Sequence, residues 1–268
     1  MILENICRSV VNIAKTTGDF ALNEIEALTV DQVKQKGEKD LVTYIDHASE
    51  KRIVTALVKI LPDAGFDTEE KTVEHEVRDF IWIIDPLDGT TNYVHGIPFF
   101  SVSIALTQHG KVILGVVYIP ALGECFHSFE GGDVYLNDKP IRVSQVYSLA
   151  DAIIATGFPY DELPDVDSYM RLLKVFITHS HGIRRFGSAA IDLAYVACGR
   201  FDAFYEAGLN SWDVSAGAFL VKQAGGEVSD FSGGCNYIER KEIIACNKAL
   251  YPRFFDITNS YLVSKTLK

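Results

Sequence analysis

The chain lacks three things: cysteine pairs at C-x-x-C spacing, a long apolar run and an excess of basic charge. Each absence removes a class of protein. Its five cysteines, Cys7, Cys125, Cys198, Cys235 and Cys246, are scattered over 268 residues, and an odd number in a chain of this length speaks against a disulfide framework. They read as reduced, mostly packing thiols. No apolar stretch approaches the ~18 residues of a membrane-spanning helix, so no membrane contact is expected. Lys and Arg total 25 against 36 Asp and Glu, a formal charge of −11 with a pI near 5.1. A surface that coats nucleic acid or an anionic membrane has the opposite sign, so no direct nucleic-acid binding is expected, and small ligands and metal cations are the expected partners. His95, His179 and His181 lack the short repeated spacing of a zinc site. Repeats, low-complexity tracts and long linkers are also missing. The start, MILENICRSVVNIA, carries Glu4 early and has neither a basic n-region nor a small-residue cleavage site, so a cytoplasmic protein is expected.

What is present is a globular composition, 48% apolar and 23% charged. Apolar positions at helical spacing predict helices over residues 2–27 and over DHASEKRIVTALVKILP, the second ended by Pro62. KQKGEKDLVTYID between them reads as a loop entering a short extended piece. Phe80 to Asp85 reads as a strand, and FFSVSIALTQ and KVILGVVYIP as strands around a turn at His109-Gly110. GECFHSF and DVYLNDKPIRV continue the strand pattern around Gly131-Gly132. After about Ala150 strands and helices alternate: DAIIATGF, DELPDVDSYMRLLKVFITH, SAAIDLAYVACG, RFDAFYEAG, SWDVSAGAFLVKQAGG and EVSDFSGG. Ser211 is placed to cap the helix that Gly225-Gly226 ends. The pattern predicts the mixed α/β class, one unit over 1–268 with subdomains 1–149 and 150–268.

One stretch carries chemistry. In WIIDPLDGTTNYVHG an apolar strand runs into Asp85 and Asp88, three residues apart, with nothing basic beside them. Two carboxylates close enough to share a partner repel unless a cation sits between them, and hard divalent ions with oxygen preference, magnesium first, meet that need. Pro86 stiffens the turn and Gly89 lets backbone amides approach a bound group. Thr90 and Thr91 add hydroxyls, and a helix starting here would turn amides toward a phosphate. Taken alone, the same residues also suit an ordinary D-G turn with Asp88 in solvent.

The whole string DPLDGTTN after an aromatic-apolar strand resembles the signature of the inositol monophosphatase family of magnesium-dependent, lithium-sensitive phosphatases. NSWDVSAGAFLVKQAGG, about 120 residues on, resembles the family's second signature. DLVTYID (Asp40 to Asp46), the Thr68–Glu70 TEE and RRFGSAAIDLAYVACGRFDAFYEAGL extend the likeness over nearly the whole chain. It implies alternating layers of helices and sheets, an αβαβα sandwich, with the site between two subdomains, usually in a homodimer.

The resemblance also implies roles. Asp85 would bridge two of two or three Mg2+ ions, with Glu69 and the Leu87 carbonyl completing one and Asp88 and Asp213 the other, roughly 3.5 to 4 Å apart. Thr68 stands where the family commonly has glycine, which leaves Glu69 and Glu70 as alternatives; place in the loop selects Glu69. The family's water-orienting threonine and its aspartate match Thr90 and Asp46. Gly89 and Thr90 amides would hold the phosphate, and Asp88, Ala189 and Glu206 match positions that contact the polyol. Asp213 has a second reading as a charge favouring its helix N-terminus. Lys36 matches a basic family position only loosely and reads as solvent-facing, Cys198 as a packing residue, and Arg184 and Arg185 as partners for acids across an interface.

The expected activity is hydrolysis of inositol monophosphate or a similar small phosphorylated polyol or sugar by metal-activated water, with no phosphoenzyme. Relatives act on fructose 1,6-bisphosphate, on 3'(2'),5'-bisphosphate nucleotides and on histidinol phosphate with the same metal core, and some bacterial relatives act instead as partners of RNA polymerase or ribosome biogenesis. ATGFPYDELP lies where substrate selection is expected; its Pro159 and Tyr160 do not match the inositol-contacting serine of animal members.

Overall fold

The computed structural model describes residues 3–25, 33–35, 41–76, 78–158 and 165–263. Lys36 to Asp40, residues 2, 26 and 27 of the predicted first helix, and Pro159 to Pro164 of the substrate-selective segment lie outside the described residues. The order is α1 (Leu3–Glu24), β1 (Val33–Gln35), β2 (Leu41–Thr43), α2 (Tyr44–Ile60), β3 (Gly65–Thr68), β4 (Phe80–Asp88), α3 (Thr90–Val94), β5 (Ser101–Gln108), β6 (Lys111–Ile119), β7 (Glu124–Phe129), β8 (Tyr135–Leu136), β9 (Lys139–Pro140), β10 (Ile153–Thr156), α4 (Val166–His179), β11 (Gly182–Arg184), α5 (Ala189–Ala197), β12 (Ala203–Ala207), α6 (Ser211–Gln223), β13 (Glu227–Ser229), β14 (Glu242–Cys246) and α7 (Tyr251–Leu262).

Strands β3 to β9 form a seven-stranded sheet in sequence order, and a five-stranded sheet runs β11-β10-β12-β14-β13. Side chains alternate across a strand, and in both sheets each face is covered. Along β4, Trp82 and Ile84 enter a core shared with Ile6, Val10, Ile53 and Leu57 of α1 and α2. Ile83 enters another, shared with Ala190, Leu193, Ala216 and Leu220 of α5 and α6. The five-stranded sheet closes that second core with Ala155, Phe204 and Ile243, while its other face sends Ile154, Tyr205 and Ile244 against Leu172 and Phe176 of α4 and Phe254 of α7. The layers therefore run α1/α2, sheet, α5/α6, sheet, α4/α7, the αβαβα sandwich expected. Strands covered on both sides read as continuous apolar runs such as FIWII, because neither face needs to be polar.

The middle layer explains the small-residue helices. A helix covered by sheets on both sides has no polar face, and every residue of α5 from Ala189 to Ala197 is buried. A Cβ on Gly217 of α6 would lie 2.5 Å from Leu193 Cβ of α5, so glycine sets how closely the two helices approach.

The structure departs from the sequence reading in four places. At α6 the N-cap is Asn210, with extended backbone at φ −94° and ψ 174°; Ser211 is the first helical residue and its hydroxyl instead donates to Asp67 Oδ2 on β3 at 2.5 Å. The strand expected to stop at Asp85 continues to Asp88. DVYLNDKPIRV contains two short antiparallel strands rather than one. Finally, the sequence pattern gives no sign of β1, β3, β11, β14 or α7. The His109-Gly110 turn holds: both residues have positive φ, 49° and 79°, as a tight hairpin requires. All five cysteines are free, with Cys7, Cys125 and Cys246 buried. Among the described residues, no helix is long and apolar enough to cross a membrane.

Candidate active site

The site begins at a flaw in a ladder. On β4, Asp85 pairs with Ser103 of β5 and Asp88 with Ser101, so three steps on one strand match two on the other. In a regular strand residues three apart point to opposite faces; the bulge absorbs the extra residue and turns Asp85 and Asp88 to the same side. Ser103 and Ser101 mark that side, bonding Trp212 O of α6 at 3.2 Å and meeting Ser188 Oγ at 3.2 Å.

Beyond the bulge the chain turns through Gly89, whose φ of 101° suits glycine, into the single-turn α3. Asp85 is buried, and its Oδ1 accepts from Leu87 N at 2.9 Å. Asp88 Oδ2 accepts from Ser188 Oγ at 2.5 Å and Ala190 N at 2.8 Å, tying the bulge to the start of α5, where Ala189 is the first helical residue. Asp213 stands at the third position of α6, and its Oδ2 accepts from Asn210 N at 2.7 Å. Its capping role and its place among the acids are therefore both real. One oxygen each of Asp85, Asp88 and Asp213 lie within 4.8 Å of one another. The Glu69 side chain hydrogen-bonds to Asp85. Glu70 turns away: its N–H donates to Glu50 Oε2 at 2.8 Å and its carboxylate pairs with His47 at 3.5 Å.

The second cluster is a relay. Thr90 Oγ1 lies 3.2 Å from Asp46 Oδ1 and 3.1 Å from Leu87 O, able to donate to either. Asp46, fully buried, accepts from Thr43 N at 2.7 Å and from Thr43 Oγ1 at 2.6 Å. Thr91, the other threonine of the motif, is exposed. Glu206, the penultimate residue of β12, lies near enough to Asp88 to feel its charge and is backed by Gly157, where a Cβ would lie 1.8 Å from Glu206 Oε1.

The electrostatics are those of acids short of a counter-charge. Burial, then Glu69, Asp88 and Asp213, push Asp85 well above the usual carboxylate range. Asp213 is pushed up by burial, then by Asp88 and Glu69. Enclosure takes Asp88 to about 6 against the bonds from Ser188, Ala190 and Ala189 that stabilise its anion. Enclosure and Asp88 take Glu206 to about 8, partly offset by Arg185. The causes that act on Asp85 and Asp213 are burial and neighbouring acids, with one opposing bond from the Asn210 N–H to Asp213. Converging hard oxygen donors fit a divalent cation, and Asp85, Asp88, Asp213 and Glu69 could hold one.

The profile of the inositol monophosphatase family matches residues 3–262. The chain belongs to the inositol monophosphatase family. It is 43% identical over 246 residues to the Nus factor SuhB of Pseudomonas aeruginosa, covering 88% of this chain and 91% of that one. It is 42% identical over 220 residues to the inositol-1-monophosphatase of Mesorhizobium japonicum, covering 82% and 83%. The extragenic suppressor protein SuhB of Bartonella henselae shares the fold with a TM-score of 0.88 at 40% identity, over 95% and 98% of the two chains.

Ten site residues were expected on the family pattern. The structure brings Glu69, Asp85, Asp88 and Asp213 together, links Leu87, Thr90 and Asp46 by hydrogen bonds beside them, sets Ala189 and Glu206 against Asp88, and places Gly89 as the N-cap of α3. Sequence reasoning missed Ser188, which caps α5 and bonds Asp88, and Asp192, a buried carboxyl whose Oδ1 has no hydrogen-bond partner. Burial, Glu206 and Asp88 raise Asp192 well above its usual range. The signal for Ser188 was the G-S-A-A start of a helix; Asp192 had none.

Proposed function

We propose that the protein is a magnesium-dependent phosphomonoesterase that hydrolyses inositol monophosphate or a similar small phosphorylated polyol or sugar. The observation that carries it is the convergence of Asp85, Asp88 and Asp213 within 4.8 Å, with Glu69 bonded to Asp85 beside the Thr90 and Asp46 pair. Two or three Mg2+ ions held by Glu69, Asp85, the Leu87 carbonyl, Asp88 and Asp213 would neutralise phosphate charge and lower the pKa of water. With its proton directed to Asp46, Thr90 Oγ1 offers a lone pair to the attacking water and fixes its line of approach. Gly89 and Thr90 amides hold phosphate oxygens, while Glu206 and Asp88 accept from substrate hydroxyls and Ala189 lies against the polyol. Water oxygen joins phosphorus, the bond to the ester oxygen breaks, and the alcohol leaves with a proton; no phosphoenzyme forms. Positioning and charge neutralisation supply most of the acceleration.

Phosphate release from a panel of sugar, polyol and nucleotide phosphates, with magnesium and with or without lithium, tests this. Inositol monophosphate or a sugar monophosphate is the expected best substrate, with inhibition by lithium. A preference for fructose 1,6-bisphosphate or a 3'(2'),5'-bisphosphate nucleotide would move the protein within the superfamily. Asp88→Asn is expected to lower kcat on the order of 10²–10³-fold, the loss typical of one electrostatic contact to the transition state, with an unchanged circular dichroism spectrum. Undiminished turnover would remove Asp88 from the ligand set.

A second reading, a regulatory protein partner of the transcription or ribosome machinery, is favoured by the relative named a Nus factor. Failure of the native protein to hydrolyse any ester would select it. In either reading the protein is proposed to be a cytoplasmic homodimer, which sedimentation velocity checks.

A further inference from the structure

Helix α2 carries two fully buried carboxylates one turn apart, Asp46 and Glu50. Like charges four residues apart work against a helix, so each has a reason to be kept. Asp46 caps its own helix and meets Thr90. Glu50 belongs to neither the acid cluster nor the relay, and it spends both oxygens on one short segment. Its Oε1 accepts from Thr68 Oγ1 at 3.0 Å and from Thr72 N at 2.7 Å, and its Oε2 from Glu70 N at 2.8 Å.

The three donors bracket Glu69. The segment leaves the sheet here: Thr68 is the last residue paired with β4, Glu69 N reaches Ile84 O at 3.2 Å, and Lys71 turns through a left-handed φ of 51°. Beyond β3 no ladder holds the backbone, and without Glu50 the Glu70 and Thr72 N–H groups would lose these acceptors. A hydrocarbon in its place would leave them unpaired, which buried donors rarely tolerate.

We infer that Glu50 is a positioning residue for the metal centre, whose carboxylate fixes residues 68–72 so that Glu69 is presented to Asp85. One helix then aligns both halves of the site, the Thr90 hydroxyl through Asp46 and the Glu69 carboxylate through Glu50. The inference rests on Glu69 being a metal ligand, as proposed above.

Isothermal titration of the metal-stripped full chain with magnesium tests it. Glu50→Gln keeps the size of the side chain but sets an amide N–H₂ against a backbone N–H, and is expected to weaken magnesium binding roughly tenfold or more, as loss of an outer partner of a ligand does. The magnesium concentration giving half-maximal turnover should rise in step. Leu57→Ala, in the same helix and fully buried, should lower the melting temperature while leaving magnesium affinity unchanged. Wild-type affinity in Glu50→Gln, or equal weakening in Leu57→Ala, would overturn the positioning role. Should Glu50→Gln not fold, the near-isosteric Thr68→Val removes one of the three donors and is expected to weaken binding several-fold; unchanged affinity there also overturns it. Glu69→Gln separates the two levels: unaltered magnesium binding in that variant would sink the ligand set itself, and the inference with it.

Discussion

At the scale of single residues, the site is defined by carboxyls that burial drives toward their neutral forms, and Glu206 offers the cleanest way to measure this. Its usual value of 4.5 rises to about 8 in the folded chain. Between those values the folded form keeps a proton that the unfolded chain has lost, so stability falls as pH rises across that window. In EDTA, the wild-type melting temperature is expected to drop from pH 5 to 8, and Glu206→Gln to drop less; parallel curves would mean that Glu206 is ionised at neutral pH. Asp88, pushed to about 6, contributes to the lower part of the slope in both proteins. Asp85, Asp88 and Thr90 were legible because one short string places them. Place in the loop selects Glu69 over Glu70 by resemblance, but no local pattern does, since adjacent residues in an extended segment point opposite ways and only the surroundings say which way is inward. Glu69 meets Asp85, whereas Glu70 faces His47.

At the scale of elements, the β4 bulge and the α5–α6 contact do the positioning. The bulge sets the phase of Asp88 relative to Asp85, and the contact sets where Ser188 and Asp213, at the starts of their helices, face the strand end. Gly217→Ala tests the second. With its new methyl 2.5 Å from Leu193 Cβ, the helices must part, at a cost of about 1–3 kcal/mol read from urea unfolding. A neutral effect would show that α5 and α6 can separate freely. Amphipathic α1, α2 and α4 were legible from helical spacing because each has one wet face. Strand β11, three residues of a parallel edge, carries no period of its own, and β14 is an apolar run too short to tell from a buried helical turn. The cap at α6 was misplaced by one residue because Ser and Asn are both good caps, and only the backbone angles at Asn210 choose between them.

At the scale of the whole molecule, the central core joins the two halves of the chain. Ile83, Val117 and Phe126 pack in one cluster with Ala216 and Leu220 of α6 and with Phe204 and Ile243, so α6, from the second half, lies on the sheet of the first. A single calorimetric unfolding transition is therefore expected, and a 150–268 fragment is expected not to fold by itself; a folded fragment or two resolved transitions would show the halves to be separate units. The residue types, the order of the motifs, the apolar strands and the amphipathic helices were determined by sequence alone, because backbone preference, side-chain period and turn chemistry act within a few positions. Which carboxylates converge was decided only in three dimensions. Asp88 meets the amide of Ala190, 102 residues away, and Glu50 meets the Glu69 segment from another element. Such meetings depend on how layers pack and on one extra residue in a ladder, and neither acts over a short enough stretch of chain to leave a local pattern.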